Sequence, residues 1–224
     1  MHSSVICGVV TTGRGAPAPE PLDAVLDALE PFGEHSERAA VTVAGLAAGM
    51  AARWTGNERG LVGPVVTRGV VVAGDVRLAD ARRLAVELGC PASASSLEVV
   101  AAAYGRWGDD CPRRLRGDFA VALVDPRRPA VLLFVDHAGR QPIAVHEHPQ
   151  GIAFASTPLA LTGLESVGHT FDVDAARDLI ALTPSPRTFV RGVSLLPAGS
   201  ALSVTPDRVR RWRWWEPERI TVRD

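Results

Sequence analysis

The side chains able to do chemistry are few and widely spread. Three cysteines, Cys7, Cys90 and Cys111, are odd in number and far apart, a pattern that suits reduced thiols rather than a disulfide frame or a zinc site. His146 and His148 alternate as on a strand but have no third ligand at metal spacing, so they read as surface residues. His137 sits in a turn and reads as a polar loop residue hydrogen-bonding the backbone. No metal is expected. Arg113, Arg114 and Arg116 form a short basic cluster beside Cys111 and read as a solvated or salt-bridged face. Trp212, Trp214 and Trp215 either pack a terminal hairpin or meet a partner, since aromatics and arginine are enriched in interface cores. Gly13-Arg14-Gly15 lacks the lysine and hydroxyl of a phosphate loop. All 24 cations are arginine, and Asn57 is the only asparagine.

Elements must position these groups, and 224 residues suffice for one well-buried domain. A net charge of −1 from 24 basic and 25 acidic side chains argues against nucleic acid and against a polybasic membrane surface. No apolar run reaches about 18 residues and no secretory layout opens the chain, so neither a membrane span nor export is indicated and a cytoplasmic location is expected. Ser4 to Thr11 predicts a first strand and Pro17 to Pro21 a loop. Leu22, Val25, Leu26 and Leu29 predict a short amphipathic helix. Val41 to Trp54 is ambiguous in period and is assigned to strand. Val70 to Val76 predicts a buried strand, followed by a helix with Leu78, Ala81, Ala85 and Leu88 on one face and Gly89 at its end. Ser95 and Glu98 form a capping-box pattern ahead of a helix carrying Leu97, Val100, Ala101 and Tyr104. Phe119 to Val124 pairs with Val131 to Val135 as a hairpin covered on both faces, and Gln141 to His146 with Gly151 to Ala155. Asp172 caps a helix that Pro184 stops, and Ala201 to Val204 with Val209 to Trp215 makes a last hairpin. Paired strands flanked by helices predict an α+β class with antiparallel sheets packed face to face.

One ordered series is more specific than any of these patterns. Trp107-Gly108-Asp109-Asp110-Cys111, Leu115-Arg116-Gly117-Asp118-Phe119-Ala120, Asp136-His137-Ala138-Gly139-Arg140-Gln141-Pro142 and Phe154-Ala155-Ser156 resemble the N-terminal glutaminase-type domain of the asparagine synthetase family. Pro186-Arg187-Thr188-Phe189, Gly192-Val193, Leu196-Pro197-Ala198-Gly199 and Arg211-Trp212-Arg213-Trp214-Trp215 extend the likeness, which covers roughly Val70 to Pro217. The resemblance implies an N-terminal-nucleophile (Ntn-type) fold, a four-layer αββα sandwich, over residues 1–217, with 218–224 starting a linker to a synthetase domain. In such domains an N-terminal cysteine attacks the side-chain amide of glutamine with its own amino group as base, and ammonia passes onward. This chemistry needs an activated nucleophile and a donor aimed at the developing oxyanion.

Against that family pattern, Cys7-Gly8 is the candidate nucleophile, but six residues precede it, an acylated nitrogen has no lone pair to act as base, and the residue otherwise reads as a small apolar cysteine on a buried first strand. The family's Asn-Gly-Glu turn becomes Ala73-Gly74-Asp75, which replaces the oxyanion donor by a methyl group at a cost of about 3 kcal/mol. Ser96 stands where the family has an acidic residue for the α-amino group of glutamine. The carboxylate-clamping arginine has two weak matches, Arg38 and Arg59-Gly60. These departures imply a degenerate glutaminase-like domain of the kind found in lasso peptide cyclases and β-lactam synthetase-like enzymes, with a structural or substrate-presenting role. The Asp136-His137-Ala138-Gly139 turn is similar to the β-lactam branch. The alternative is an active amidotransferase, with Cys7 exposed by processing. No cofactor is expected in this chain. ATP and magnesium belong to a synthetase domain in cis or trans, whose substrate is a peptide or small carboxylic acid. The arginine-rich tryptophan segment then becomes either hairpin packing or the seam with that domain.

Overall fold

A computed structural model describes residues 4–13, 19–43, 45–56 and 62–217. Strand β1 (Ser4–Thr12) is followed by helix α1 (Pro19–Asp27), then β2 (His35–Val43), β3 (Leu46–Trp54), β4 (Val65–Thr67) and β5 (Val70–Leu78). Helices α2 (Ala81–Glu87) and α3 (Ser96–Trp107) precede β6 (Gly117–Asp125), β7 (Ala130–Val135), β8 (Ala144–His148) and β9 (Gly151–Ala155). Helix α4 (Val173–Ile180), β10 (Val193–Leu195), β11 (Ser200–Thr205) and β12 (Arg208–Arg213) complete the order.

The strands form two antiparallel six-stranded sheets. One runs β10-β8-β9-β1-β3-β2 and the other β12-β11-β7-β6-β5-β4. Strand alternation sends each set of apolar side chains to opposite faces. Ile6, Val10, Met50 and Phe154 from the first sheet meet Ala73, Ala122, Leu133 and Leu202 from the second in the shared core. The outer face of the first sheet, with Val5, Cys7 and Val9, is covered by Val25, Leu26 and Leu29 of and just after α1. The outer face of the second, with Val72, Val121 and Leu123, is covered by Leu97, Val100 and Tyr104 of α3. Each fully buried Leu, Ile or Phe of these layers contributes about 1.5–3 kcal/mol. This is the expected αββα sandwich.

Local signals explain most boundaries. Ser95 caps α3, its hydroxyl accepting from the Glu98 amide at 3.3 Å while the Glu98 carboxylate accepts from the Ser95 amide at 2.7 Å. Asp172 caps α4 by accepting from Asp174 and Ala175 amides at 3.0 and 3.2 Å. Four expectations need correction. Residues 19–21 belong to α1 rather than to a loop, because proline is tolerated in a first helical turn; positions 17 and 18 lie outside the described residues. The region 41–54 is a hairpin's second half and turn rather than one strand, since Gly45 at φ 76° reverses the chain between β2 and β3. Leu78 ends β5 and is not on α2. Strand β8 begins at Ala144, not at Gln141.

Candidate functional site

Cys7 lies inside β1 rather than at a strand end. It pairs with Ala51 on β3 and Ala155 on β9 and is wholly buried. The three described residues before it are part of the sheet. Ser4, Val5 and Ile6 pair with Trp54, Arg53 and Ala52, and Ile6 is tied in both directions to Ser156, donating to its hydroxyl at 2.9 Å and accepting from its amide at 2.8 Å. Its side chain is fully buried between the sheets. Burial pushes the Cys7 thiol up to about 12, and the nearby Arg53 and Arg38 charges offset this only in part. A thiol so placed carries almost no thiolate at neutral pH.

Ala73 and Cys7 do not share a cavity. Ala73, in β5, points into the core between the sheets, whereas the Cys7 side chain belongs to the cluster under α1 on the far side of the first sheet. Gly74 is required where it stands: a Cβ there would come 2.5 Å from the Ala120 carbonyl oxygen. Asp75 follows on the inward face and is buried. Its carboxylate accepts from Arg77 Nη1 at 2.6 Å. The Gln141 amide, turned to satisfy both neighbours, donates to Asp75 Oδ2 and accepts from Arg77 Nη1, each at 3.2 Å. The Asp75-Arg77-Gln141 triangle therefore ties three polar side chains to one another.

Ser96 is the first residue of α3 and half-buried. Next to it, Ser95 and Glu98 share a cleft of about 510 Å³ with Glu37, Arg38, Pro64 and Val65. The structure thus brings Arg38 near the start of α3, but the Arg38 guanidinium is paired with Asp23 of α1. Arg59 and Gly60, the other match for a carboxylate clamp, lie outside the described residues, as do Asn57, Arg14 and Gly15 of the sequence analysis.

Three residues matter more than their sequence context suggested. Arg53 projects from the same face as Cys7 and donates to the carbonyls of Leu26 at 3.1 Å and Gly33 at 3.3 Å, so its charge closes the end of α1. A lone arginine in the apolar run of β3 was the available signal. Asp136 is fully buried and accepts from the amides of Phe119, Ala138, Arg140 and Gln141 at 2.8–3.3 Å. Gln141 is the third member of the triangle above. The Asp136-His137-Ala138-Gly139 turn is therefore organised by its aspartate, while His137 packs edge-on against Trp215 at 5.4 Å.

His146 is buried rather than on the surface, because its ring Nδ1 lies 2.9 Å from the Gly192 carbonyl. It stacks on His148 at 6.1 Å, and burial followed by the His146 charge holds the His148 pKa below its ordinary value. No group of three ligating side chains that could hold a metal exists among the described residues. Trp214 is buried and stacks on Phe119 at 6.2 Å, Trp215 abuts Gly199, and Arg210 lies 4.1 Å over the Trp212 ring. These contacts make the tryptophans part of the second sheet's packing. No helix among the described residues is long and apolar enough to cross a membrane.

Comparison with known proteins bears on the same segments. The family described as "Glutamine amidotransferase domain" matches residues 69–215. Asparagine synthetase [glutamine-hydrolyzing] 3 of Bacillus subtilis is 27% identical over 127 residues, 55% of this chain and 21% of its own length. A putative glutamine-hydrolyzing asparagine synthetase of Mycobacterium tuberculosis is 31% identical over 117 residues, 50% of this chain and 18% of its own. The chain thus spans about a fifth of the length of the curated relatives it matches. Among solved structures, glutamine phosphoribosylpyrophosphate amidotransferase from B. subtilis superposes with a TM-score of 0.65 at 16% identity, covering 95% of this chain and 49% of that one. A structure described as the allosteric regulatory enzyme of purine biosynthesis gives 0.67 at 15% identity, covering 94% and 49%. At these identities the superpositions establish the fold, an Ntn amidotransferase sandwich.

Proposed function

The chain belongs to the glutamine amidotransferase domain family, and from that premise we propose that it is an asparagine synthetase-like member whose glutamine site no longer turns over. Its role is structural or substrate-presenting, in support of an ATP-dependent amide-forming domain. The observation that carries this reading is the seat of Cys7: mid-strand, wholly buried, its nitrogen acylated by an Ile6 that is itself bonded twice to Ser156. An amide nitrogen cannot serve as the base that an N-terminal nucleophile needs. The methyl group of Ala73 supplies no oxyanion donor, and the half-buried hydroxyl of Ser96 cannot balance an ammonium.

The partner is a domain, joined in cis or met in trans, that activates a carboxylate with ATP and magnesium and closes an amide without ammonia. Lasso peptide cyclases and β-lactam synthetases work in this way, and a peptide or small carboxylic acid is the corresponding substrate class. Incubating the full chain with glutamine and measuring glutamate tests the proposal. No release above the uncatalysed background is expected. Turnover near the common enzymatic scale of about 10 per second, together with an intact mass starting at Cys7, establishes instead an amidotransferase activated by loss of residues 1–6.

A further inference from the structure

The basic cluster beside Cys111 is more ordered than a solvated face requires. Residues 108–114 form a 3₁₀ turn pinned from within: Cys111, Pro112 and Leu115 are buried, which leaves Arg113, Arg114 and Arg116 projecting outward. Arg83 of α2 joins them from a second element. Together with Trp107 and Glu87 these four arginines line a hollow of about 190 Å³ on the helical side of the second sheet. Arg83 is held by Asp80 and lies 3.9 Å from Glu87, and Arg113 lies 3.4 Å from Asp110. Arg114 stacks over the Trp107 ring at 5.7 Å, which limits its rotamers before any ligand arrives. Neither Arg114 nor Arg116 has a carboxylate within ion-pair distance among the described residues.

We propose that this hollow is a binding site for a diphosphate group, with Arg114 and Arg116 as its principal ligands and Arg83 and Arg113 as its flanks. Guanidinium forks match phosphate oxygens two at a time, and four forks offer more donors than one tetrahedral anion can engage. The space is too small for a drug-sized ligand, so a larger molecule would seat only its diphosphate here. Concavity also excludes a folded acidic surface. The site lies at the Trp107 end of α3, the opposite end of that helix from Ser96, and on the helical layer away from Cys7 and the inward-facing Ala73, so the proposal stands or falls independently of the reading of the glutamine site.

Isothermal titration of the full chain with pyrophosphate, orthophosphate, sulfate and ADP tests it. One pyrophosphate per chain is expected, bound at least tenfold more tightly than orthophosphate or sulfate. Arg116→Gln, which removes no ion pair, is expected to weaken binding at least tenfold, and Arg114→Gln likewise. Arg208→Gln on the exposed β12 is a control expected to leave affinity unchanged. ADP binding more tightly than pyrophosphate identifies a nucleotide as the source of the group, and the reverse identifies the free anion. Absence of pyrophosphate binding, equal affinity for sulfate, or equal loss in the β12 control overturns the proposal.

Discussion

Cys7 and Asp136 are both sealed from water, and their surroundings decide what each can do. The Cys7 thiol, raised to about 12 by burial, and the Cys111 thiol, raised further by burial beside Asp109 and Asp110, should be inert in the folded protein. Cys90 is only half-buried. Titration with a chromogenic disulfide should therefore find one fast thiol in the native chain and three in denaturant; rapid modification of Cys7 in the folded state would contradict its placement in β1. Asp136 satisfies four backbone amides at once, so Asp136→Asn puts an NH₂ against donors that need an acceptor, and a loss of about 2 kcal/mol or more is expected in urea unfolding. Asp125 tests the electrostatics. Burial alone would raise its pKa, but bonds from Arg127 and Tyr104 outweigh that and lower it. A carboxyl depressed in the folded state stabilises above its unfolded pKa of about 3.9 and loses that contribution as pH falls through the folded value. Asp125→Asn should accordingly lower stability near neutral pH and flatten the acid limb of a stability-versus-pH curve. That Ala73 offers a methyl group and Ser96 a hydroxyl is plain from residue type alone. The burial of Cys7 is legible in its run of apolar neighbours, but not the layer that covers it, because alternation in β1 shows that residues 5, 7 and 9 share a face but not which face meets which layer.

At the scale of elements, the sequence is most legible where one local rule acts alone. The capping box at Ser95 marks the start of α3 unambiguously, and its loss in Ser95→Ala should cost about 1 kcal/mol, read as a lower urea midpoint with an unchanged slope. The β6-β7 hairpin is equally plain, since apolar runs on both sides of Pro126 to Pro129 suit strands covered on both faces. Legibility fails where tertiary contacts choose the outcome. Strand β2 alternates exposed and half-buried positions from Ser36 to Val43, and takes its shape from pairing with β3 along nine residues. Strands β4 and β10 have three residues each and exist only as edges of larger sheets. Gly74 shows the same dependence on neighbours. It is the point where β5 passes the Ala120 carbonyl, so Gly74→Ala should destabilise by about 1–3 kcal/mol whatever the catalytic state of the domain.

For the whole molecule, the decisive feature is that the two sheets share one core and neither has an inner face of its own to keep dry. Phe154 of β9 is fully buried in that core, and its ring stands 2.4 Å from where a side chain on Gly8 would begin, so β1, β9 and the second sheet are fitted to it. A chain of this length need not unfold in one step. The shared core argues that it does, because separating the sheets would expose Ile6, Met50, Leu133 and Leu202 together. Phe154→Ala should cost about 3–5 kcal/mol, and its effect should spread. Amides of β6, in the other sheet, should lose as much protection from hydrogen exchange as those of β1 beside the substitution. A loss confined to the first sheet would mean that the layers open separately. Joint opening would make the family's sandwich a single rigid body in this chain, which is the property a domain needs if its remaining task is to hold another in place rather than to hydrolyse glutamine.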